Sequence, residues 1–597
     1  MIGWRNWDPV SLVKSSLLPD GPAVRLSLVD RRTGHHQSEF RWPSLVKLGP
    51  SAYDGSYAAV RLRSGAAVFD YEMSSEGMRL FVRVSPVSDC AGCEFRMEIG
   101  PAQKGTLVTS EQAVIWLGAD SAISFSSPTP GSALKGTSIV SDASKPFILA
   151  AQPVEQSPLE PETREATLTK NGSLGRPELE AQAKAAIAEQ RTALQSRLGS
   201  SLKEAICAAC GWNTIWSPAR CKEYLVSTRD WCVFGNYGDY VLFGWDSFLS
   251  ALLASVYDPD LAKAALLRIF EGQTEAGFVP SIQSEIGVSD DRSHPPVGAL
   301  CVWMIYSLTA DSSILESSLD PLLRWHRWWP KARDGKGDGL LEWGSHPAPL
   351  RHPQWQAHNL WAARYESGMD NSQMYDDASF DPKANVMELY DVGLTSLWAA
   401  DSVFLAKIAR ELRKPEEVDR LEAEARRNVQ LIDERLWDEA RSIYANRFWD
   451  GRWSDRVSPT SFYPVLTGMV SQERAKRLLD HLRDPKEFWT EFPIPTVPRA
   501  DPAFAEQYYW RGRVWPPVNF LIYCGLKLSG FDAVASDLAE RSLALFEGEW
   551  AGKSHIHENY NARSGDGDDT PESDPCYTWG ALLALIALWE SGELDLL

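Results

Sequence analysis

The chain has no run of about twenty uninterrupted apolar residues, which argues against a helix that spans a bilayer. Basic residues are outnumbered: 60 Lys and Arg against 80 Asp and Glu leave a formal net charge of −20. A nucleic acid or an anionic membrane surface needs a basic face, so neither is expected as a partner. Cysteine is sparse and odd in number, nine in 597 residues, which fits reduced thiols rather than a disulfide framework. Met1 to Leu17 lacks a long apolar run after a basic start; no secretory signal is expected, and a cytoplasmic location follows as the expectation. The pairs Cys90/Cys93 and Cys207/Cys210 lie far apart, and the second sits in an Ala-rich helical pattern. They read as small buried residues rather than as a shared zinc site. No fixed-period repeat supports a solenoid.

The chain is long enough for two domains, and 44% apolar residues suffice for large cores. Residues 1–175 read as an antiparallel β-sandwich. Ala23 to Val29, Ala58 to Arg63 and Leu80 to Val84 alternate apolar and polar side chains, and Gly, Ser, Pro and Asp clusters break the runs at close intervals. Pro153 to Gly175 reads as a connector. Residues 176–200 then form a charged, Ala-rich helical linker. From 201 to 597 the pattern is helical, with apolar faces at about 201–210, 245–257, 260–271, 297–310, 318–330, 391–412, 415–436, 462–470, 472–483, 513–528, 532–548 and 577–591. Twelve helices taken in sequential pairs can close into a ring of six hairpins, an (α/α)6 toroid. Its long polar loops would gather at one mouth.

Three stretches stand apart from this pattern. Tyr365 to Asp377 crowds Glu366, Asp370, Asp376 and Asp377 beside two amides and two tyrosines, with no apolar face. Crowded carboxylates repel, so one of them can keep its proton near neutrality and serve as an acid. Tyr508 to Asn519 interleaves Tyr509, Trp510 and Arg511, and His555 to Asn561 carries Glu558 and Tyr560. Aromatic faces suit the C–H surfaces of a sugar ring, and guanidinium and carboxylate groups suit its hydroxyls. The 25 tryptophans fit such a cleft, although many also fit a core. Two carboxyl groups on opposite sides of a glycosidic bond are the minimum equipment for hydrolysing it. The alternative for the first stretch is a solvated acidic loop. His555 and His557 lack the i, i+4 spacing of a helical metal pair, so no metal and no cofactor are expected. The acidic run Asp566 to Asp574 lacks an ordered ligand spacing and reads as a mobile lid rather than a calcium loop.

The chain resembles glycoside hydrolase family 63 over roughly residues 200 to 592. The carriers are Gly244-Trp245-Asp246-Ser247-Phe248, Gly277-Phe278-Val279-Pro280, Asp291-Arg292-Ser293-His294-Pro295-Pro296 and Gly339-Leu340-Leu341-Glu342-Trp343-Gly344-Ser345. Glu366-Ser367-Gly368-Met369-Asp370-Asn371-Ser372, Trp510-Arg511-Gly512-Arg513-Val514-Trp515 and Glu558-Asn559-Tyr560-Asn561 complete the set. The resemblance implies a toroid behind a β-sandwich and hydrolysis with inversion, with Asp370 as general acid and Glu558 as general base. It also implies that Trp245 and Asp246 hold the sugar and that Trp510 and Arg511 form a second wall. Glu366, Tyr509, Tyr560 and Trp579 are expected to bind substrate as well, Trp579 being equally compatible with core. Gln373, Tyr375 and Ala562 stand where the family often has Pro, Trp and Pro, which bears on substrate identity and leaves the catalytic pair untouched. The expected activity is that of an inverting, exo-acting α-glycosidase, an α-glucosidase acting on a short oligosaccharide or small glucoside. A non-catalytic glycan-binding protein and a toroid lyase or epimerase are the alternatives, and the oligomeric state stays open.

Overall fold

The structure, a computed structural model, describes residues 3–100, 105–110, 113–118, 121–154, 176–349, 356–492 and 494–597. The connector expected at 153–175 therefore lies, from residue 155 on, outside the described residues. The chain divides into two compact units. The first is Met1–Glu223 with Val233–Gly235 and Lys553–His555; the second is Tyr224–Cys232, Asn236–Gly552 and Ile556–Leu597.

The first unit is an antiparallel sandwich. One sheet runs in the order Gly3–Arg5, Lys14–Leu18, Ala23–Asp30, Cys93–Gly100, Ser138–Asp142, Ala133–Lys135, with His36–Gln37 paired to Ala23–Asp30. The other runs Thr106–Thr109, Val114–Leu117, Ala122–Ser126, Phe147–Val154, Arg79–Ser88, Ala67–Glu76, Tyr57–Ser64, Leu45–Ser51. Val24, Leu26 and Leu28 are buried, and Phe95, Met97 and Ile99 on the neighbouring strand share that core, as strict alternation requires. Two helices, Arg176–Leu198 and Ser201–Trp212, belong to this unit. The second was expected as the first helix of the toroid. It packs instead on Leu45–Ser51, where a Cβ on Gly211 would stand 1.8 Å from the carbonyl oxygen of Ser51 and Trp212 Nε1 donates to Gly49 O at 2.7 Å. Only glycine permits that approach, and its periodicity alone could not reveal which partner the helix chooses.

The second unit is the (α/α)6 toroid. Six inner segments touch in sequence and close a ring: Gly244–Ser255, Gly298–Thr309, Val392–Glu411, Pro459–Thr467, Pro516–Leu528 and the C-terminal pair Thr578–Ala581 and Leu582–Glu590. They are apolar nearly all round, as segments enclosed on every side must be. Val392–Glu411 is long and apolar enough by composition to cross a membrane, yet 89% of its apolar window is buried within the protein. Outer helices follow as amphipathic segments: Pro259–Glu271, Ser312–Ala332, Pro415–Arg435, Gln472–Leu482 and Asp532–Lys553. Side-chain caps start several of them; Asp258 accepts from Leu261 N and Ser471 from Arg474 N. Pro459–Thr467 winds as a 3-10 helix rather than the α-helix its apolar spacing suggests, and Pro464 inside it withholds a backbone donor that an α-helix would use.

Candidate active site

Each polar group of interest lies in the first turn of an inner segment or in the loop leading into one. Asp246 occupies the first turn of Gly244–Ser255, and Arg292 and His294 precede Gly298–Thr309. Asp370 lies between the short helix Leu360–Glu366 and Val392–Glu411. Tyr509 and Trp510 precede Pro516–Leu528, and Glu558 precedes Thr578–Ala581. These loops surround one cavity of about 250 Å³.

Its walls are aromatic. Trp510 stacks face to face on Trp515, 3.6 Å between ring centres and 9° between planes, which fixes the indole that faces the cavity. Trp245 and Trp579 meet edge to face at 5.5 Å and 78°. Gly368 lies at φ +67°, and a Cβ there would stand 2.9 Å from the Trp245 indole, so the loop carrying Asp370 can lie against that ring only with glycine at this position. Asn371 ties the same loop to the next one, accepting from Trp510 N at 2.9 Å.

Three carboxyl groups line the cavity: Asp246, Asp370 and Glu558. Asp246 Oδ1 accepts from Tyr577 Oη at 2.6 Å and from Ser227 Oγ at 3.3 Å, yet burial pushes its carboxyl up to about 7. Asp370 keeps part of its surface open to the cavity while protein encloses it on all sides. Burial pushes it up to about 7 as well; the Arg292 guanidinium pulls it down and the Asp246 charge adds to the rise. Glu558 is held well above the usual carboxylate range by burial first, then by the charges of Asp574, Asp246 and Asp370. Its backbone is pinned, its N–H donating to Asp574 O at 3.0 Å and its carbonyl accepting from Trp579 Nε1 at 3.0 Å. Arg292 Nη1 donates to Asp291 Oδ2 at 2.7 Å and to Gln356 O at 2.6 Å, and its guanidinium lies 5.4 Å from the Tyr365 ring centre. His294 is pushed down to about 3 by burial and by Arg292, so its ring is neutral, with Nε2 facing Tyr365 O at 3.1 Å.

Of the residues singled out in the sequence, Trp245, Asp246, Asp370, Tyr509, Trp510, Glu558 and Trp579 come together here. Three do not. Glu366 is fully buried away from the cavity; Arg333 Nε and Nη2 donate to its two oxygens at 2.6 and 2.7 Å, and Ser293 N and Gly344 N add 2.8 and 2.7 Å. With its lone pairs so used, it holds three loops together rather than a sugar. Arg511 is drawn away by Glu506, at 2.6 and 2.8 Å, and by Asp376, at 3.0 Å. Tyr560 is buried and pairs its backbone with Val514, its ring edge-on to His557 at 5.8 Å. Arg513 is ion-paired as well, its Nη2 on Asp569 Oδ1 at 2.8 Å and its Nε on Asn559. That contact, with Asn561 Nδ2 on Asp569 Oδ2 at 2.6 Å, ties down the acidic run that read as a mobile lid. His557 Nε2 lies 3.3 Å from Asp568 and 3.7 Å from Glu549.

Sequence reasoning missed Trp231, Tyr237, Phe243, Arg292, His294 and Tyr577 as lining residues. Arg292 and His294 stood in a motif already singled out. Tyr577 lies two positions before Trp579, and the aromatics ahead of Trp245 were a usable signal.

Residues 240–580 match the family model described as the mannosylglycerate hydrolase MGH1-like glycoside hydrolase domain. The chain belongs to this family of glycoside hydrolases. A mannosylglycerate hydrolase of Rubrobacter radiotolerans is 24% identical over 429 aligned positions; the match covers 58% of this chain and 90% of that protein. Among solved structures, the family 63 mannosylglycerate hydrolase from Thermus thermophilus in complex with glucose is 24% identical, covering 59% of this chain and 94% of that one at a TM-score of 0.48. A bacterial glucoamylase complexed with acarbose matches the fold of the whole chain: 11% identity, 100% and 94% coverage, TM-score 0.53. The protein is thus a glycoside hydrolase, and Asp246, Asp370 and Glu558 line the cavity of its toroid.

Proposed function

We propose that this hydrolase is an inverting, exo-acting α-glycosidase in which Asp370 protonates the leaving oxygen and Glu558 deprotonates the attacking water. The observation that carries the reading is the meeting of both carboxyl groups, from loops 188 positions apart in the chain, in one small aromatic cavity. A cavity of about 250 Å³ lies just below the usual range for small-molecule sites and suits one sugar ring with a short aglycone rather than an internal stretch of polysaccharide. Trp245, Trp510 and Trp579 offer apolar surface to the ring, and Asp246 accepts hydrogen bonds from its hydroxyls. Inversion requires room for a water at the base, and it places the two carboxyl groups roughly 6.5–9.5 Å apart.

The electrostatics suit the acid and constrain the base. Asp370 must hold its proton, and it loses that form as pH rises through about 7. Glu558 must be ionised, and it gains that form as pH rises through its own elevated value. Both limbs are pushed upward: the alkaline limb falls near pH 7, and the acid limb lies above the usual carboxylate range.

The sugar is an α-glucose in this reading. A second reading, an α-mannoside of glycerate, is favoured by the relatives that carry the name mannosylglycerate hydrolase. A panel of α-linked glucose disaccharides, glucosylglycerate and mannosylglycerate, read by hexose release, separates them. Glucose from glucosides supports the first reading and mannose from mannosylglycerate the second. No hexose from any member contradicts both.

A further inference from the structure

Asp246 is the third carboxyl group of the cavity and takes no proton in the proposed hydrolysis. Its two side-chain donors, Tyr577 Oη at 2.6 Å and Ser227 Oγ at 3.3 Å, converge on a single oxygen, Oδ1. The carboxyl also sits in the first turn of a twelve-residue helix, where the backbone dipole favours negative charge. Tyr577 is buried, lines the same cavity and packs its ring against Trp579 at 4.8 Å and 36°, so its hydroxyl has a fixed place. Nothing in the sugar-binding reading calls for a buried tyrosine behind Asp246.

We propose that Tyr577 is a positioning residue that holds Asp246 ionised, and that the Asp246 charge in turn keeps on Asp370 the proton the leaving group needs. The inference rests on Asp370 being the acid. The groups facing Asp246 are Tyr577, Tyr509, Asp370 and Glu558; the Arg292 charge acts on Asp370, and the Asp574 charge acts on Glu558. Of these, Arg292 alone favours an ionised Asp370, and Asp246 is the charge that opposes it. His294 stays neutral through the working range and takes no part. Burial already brings Asp246 to about 7 against the pull of its hydroxyl donors, so it is poised to become neutral if the stronger donor is lost. Asp370 would then face Arg292 without the opposing charge and give up its proton at lower pH. The three carboxyl groups titrate as a coupled set, so what is observable is the position of a limb of the profile.

The test is the pH dependence of kcat/KM and of kcat for the wild-type enzyme and Tyr577→Phe, using the best substrate of the panel. A hydrogen bond to a charged group is worth roughly one pH unit or more at Asp246, and part of it reaches Asp370. The expected result is an alkaline limb moved toward acid by about half a unit. Asp246→Asn moves the same limb the same way and further, and raises KM as well because a sugar contact goes. A Tyr577→Phe profile that is lowered uniformly, with its alkaline limb in place, would overturn the proposal, since a purely structural role lowers amplitude alone. Should Tyr577→Phe not fold, Ser227→Ala removes the weaker donor from the same oxygen; a smaller shift in the same direction supports the proposal and an unmoved limb refutes it. Failure of the underlying reading looks different: Asp370→Asn would then retain turnover whatever Tyr577 does.

Discussion

Replacing Glu366 by Gln separates a structural from a substrate role for the most buried carboxylate of the Tyr365–Asp377 stretch. Glu366 and Arg333 are both fully buried, joined by two parallel hydrogen bonds of 2.6 and 2.7 Å, and two backbone donors complete the carboxylate. Gln preserves the size but cannot accept on both ends, and it leaves the Arg333 charge buried without its counterion. Breaking such a pair from one side costs about 3–5 kcal/mol. For a unit of about 370 residues, a change of 1 kcal/mol moves the melting midpoint by about 1.3 °C, so the toroid transition should fall by roughly 4–6 °C. Differential scanning calorimetry reads that shift, and steady-state kinetics well below the transition read KM. The expected outcome is a large loss of stability with KM within about twofold of wild type, since Glu366 lies outside the cavity lining. An unchanged midpoint with a KM raised tenfold or more would show that the carboxylate reaches the sugar after all.

Asp370→Asn and Glu558→Gln should each lower kcat by about 10²–10⁴-fold while sugar binding, followed by tryptophan fluorescence, stays nearly intact, because an amide keeps the shape but cannot give or take the proton; near-normal turnover in either would remove that residue from its role. Gly368→Ala should raise KM and lower stability by about 1–3 kcal/mol, since φ +67° and a Trp245 indole atom 2.9 Å from the new Cβ both oppose it. His326 lies buried between Asp401, at 2.7 Å, and Glu424, at 3.5 Å, and is pushed up to about 8 from 6.5. Its folded form binds the proton more tightly than its unfolded form, so the stabilisation is complete below about pH 6.5 and is lost as pH rises through about 8. That amounts to about 2 kcal/mol by calorimetry, and His326→Gln should abolish this part of the pH dependence.

Architecture was legible in the sequence because each unit has a strong period. Alternation in the first 154 residues places Val24, Leu26 and Leu28 on one face, and the 3.6-residue spacing from 244 onward gives the inner and outer segments within a few residues. The packing partner of the helix Ser201–Trp212 was not legible, because its close approach depends on the backbone of Ser51, 160 positions away from Gly211. At the site, the loops were legible and side-chain direction within them was not. Glu366 and Asp370 are four positions apart, yet one faces Arg333 and the other the cavity, a division set by the turn at Gly368 and by a guanidinium from another helix. Arg511 and Arg513 flank Gly512 and both end in ion pairs outside the cavity, whereas Trp510 beside them faces in. Tyr577 had no signal of its own, because its contact with Asp246 spans 331 positions.

The account rests on Asp370 and Glu558 acting from opposite sides of the sugar, and the anomer formed first reports that arrangement most directly. Proton NMR of a fresh reaction, using an α-glycoside that the panel shows to be cleaved, should show the β-anomer before mutarotation mixes the two. First appearance of the α-anomer would mean retention, with Glu558 a nucleophile or a bystander, and would contradict the assignment of acid and base.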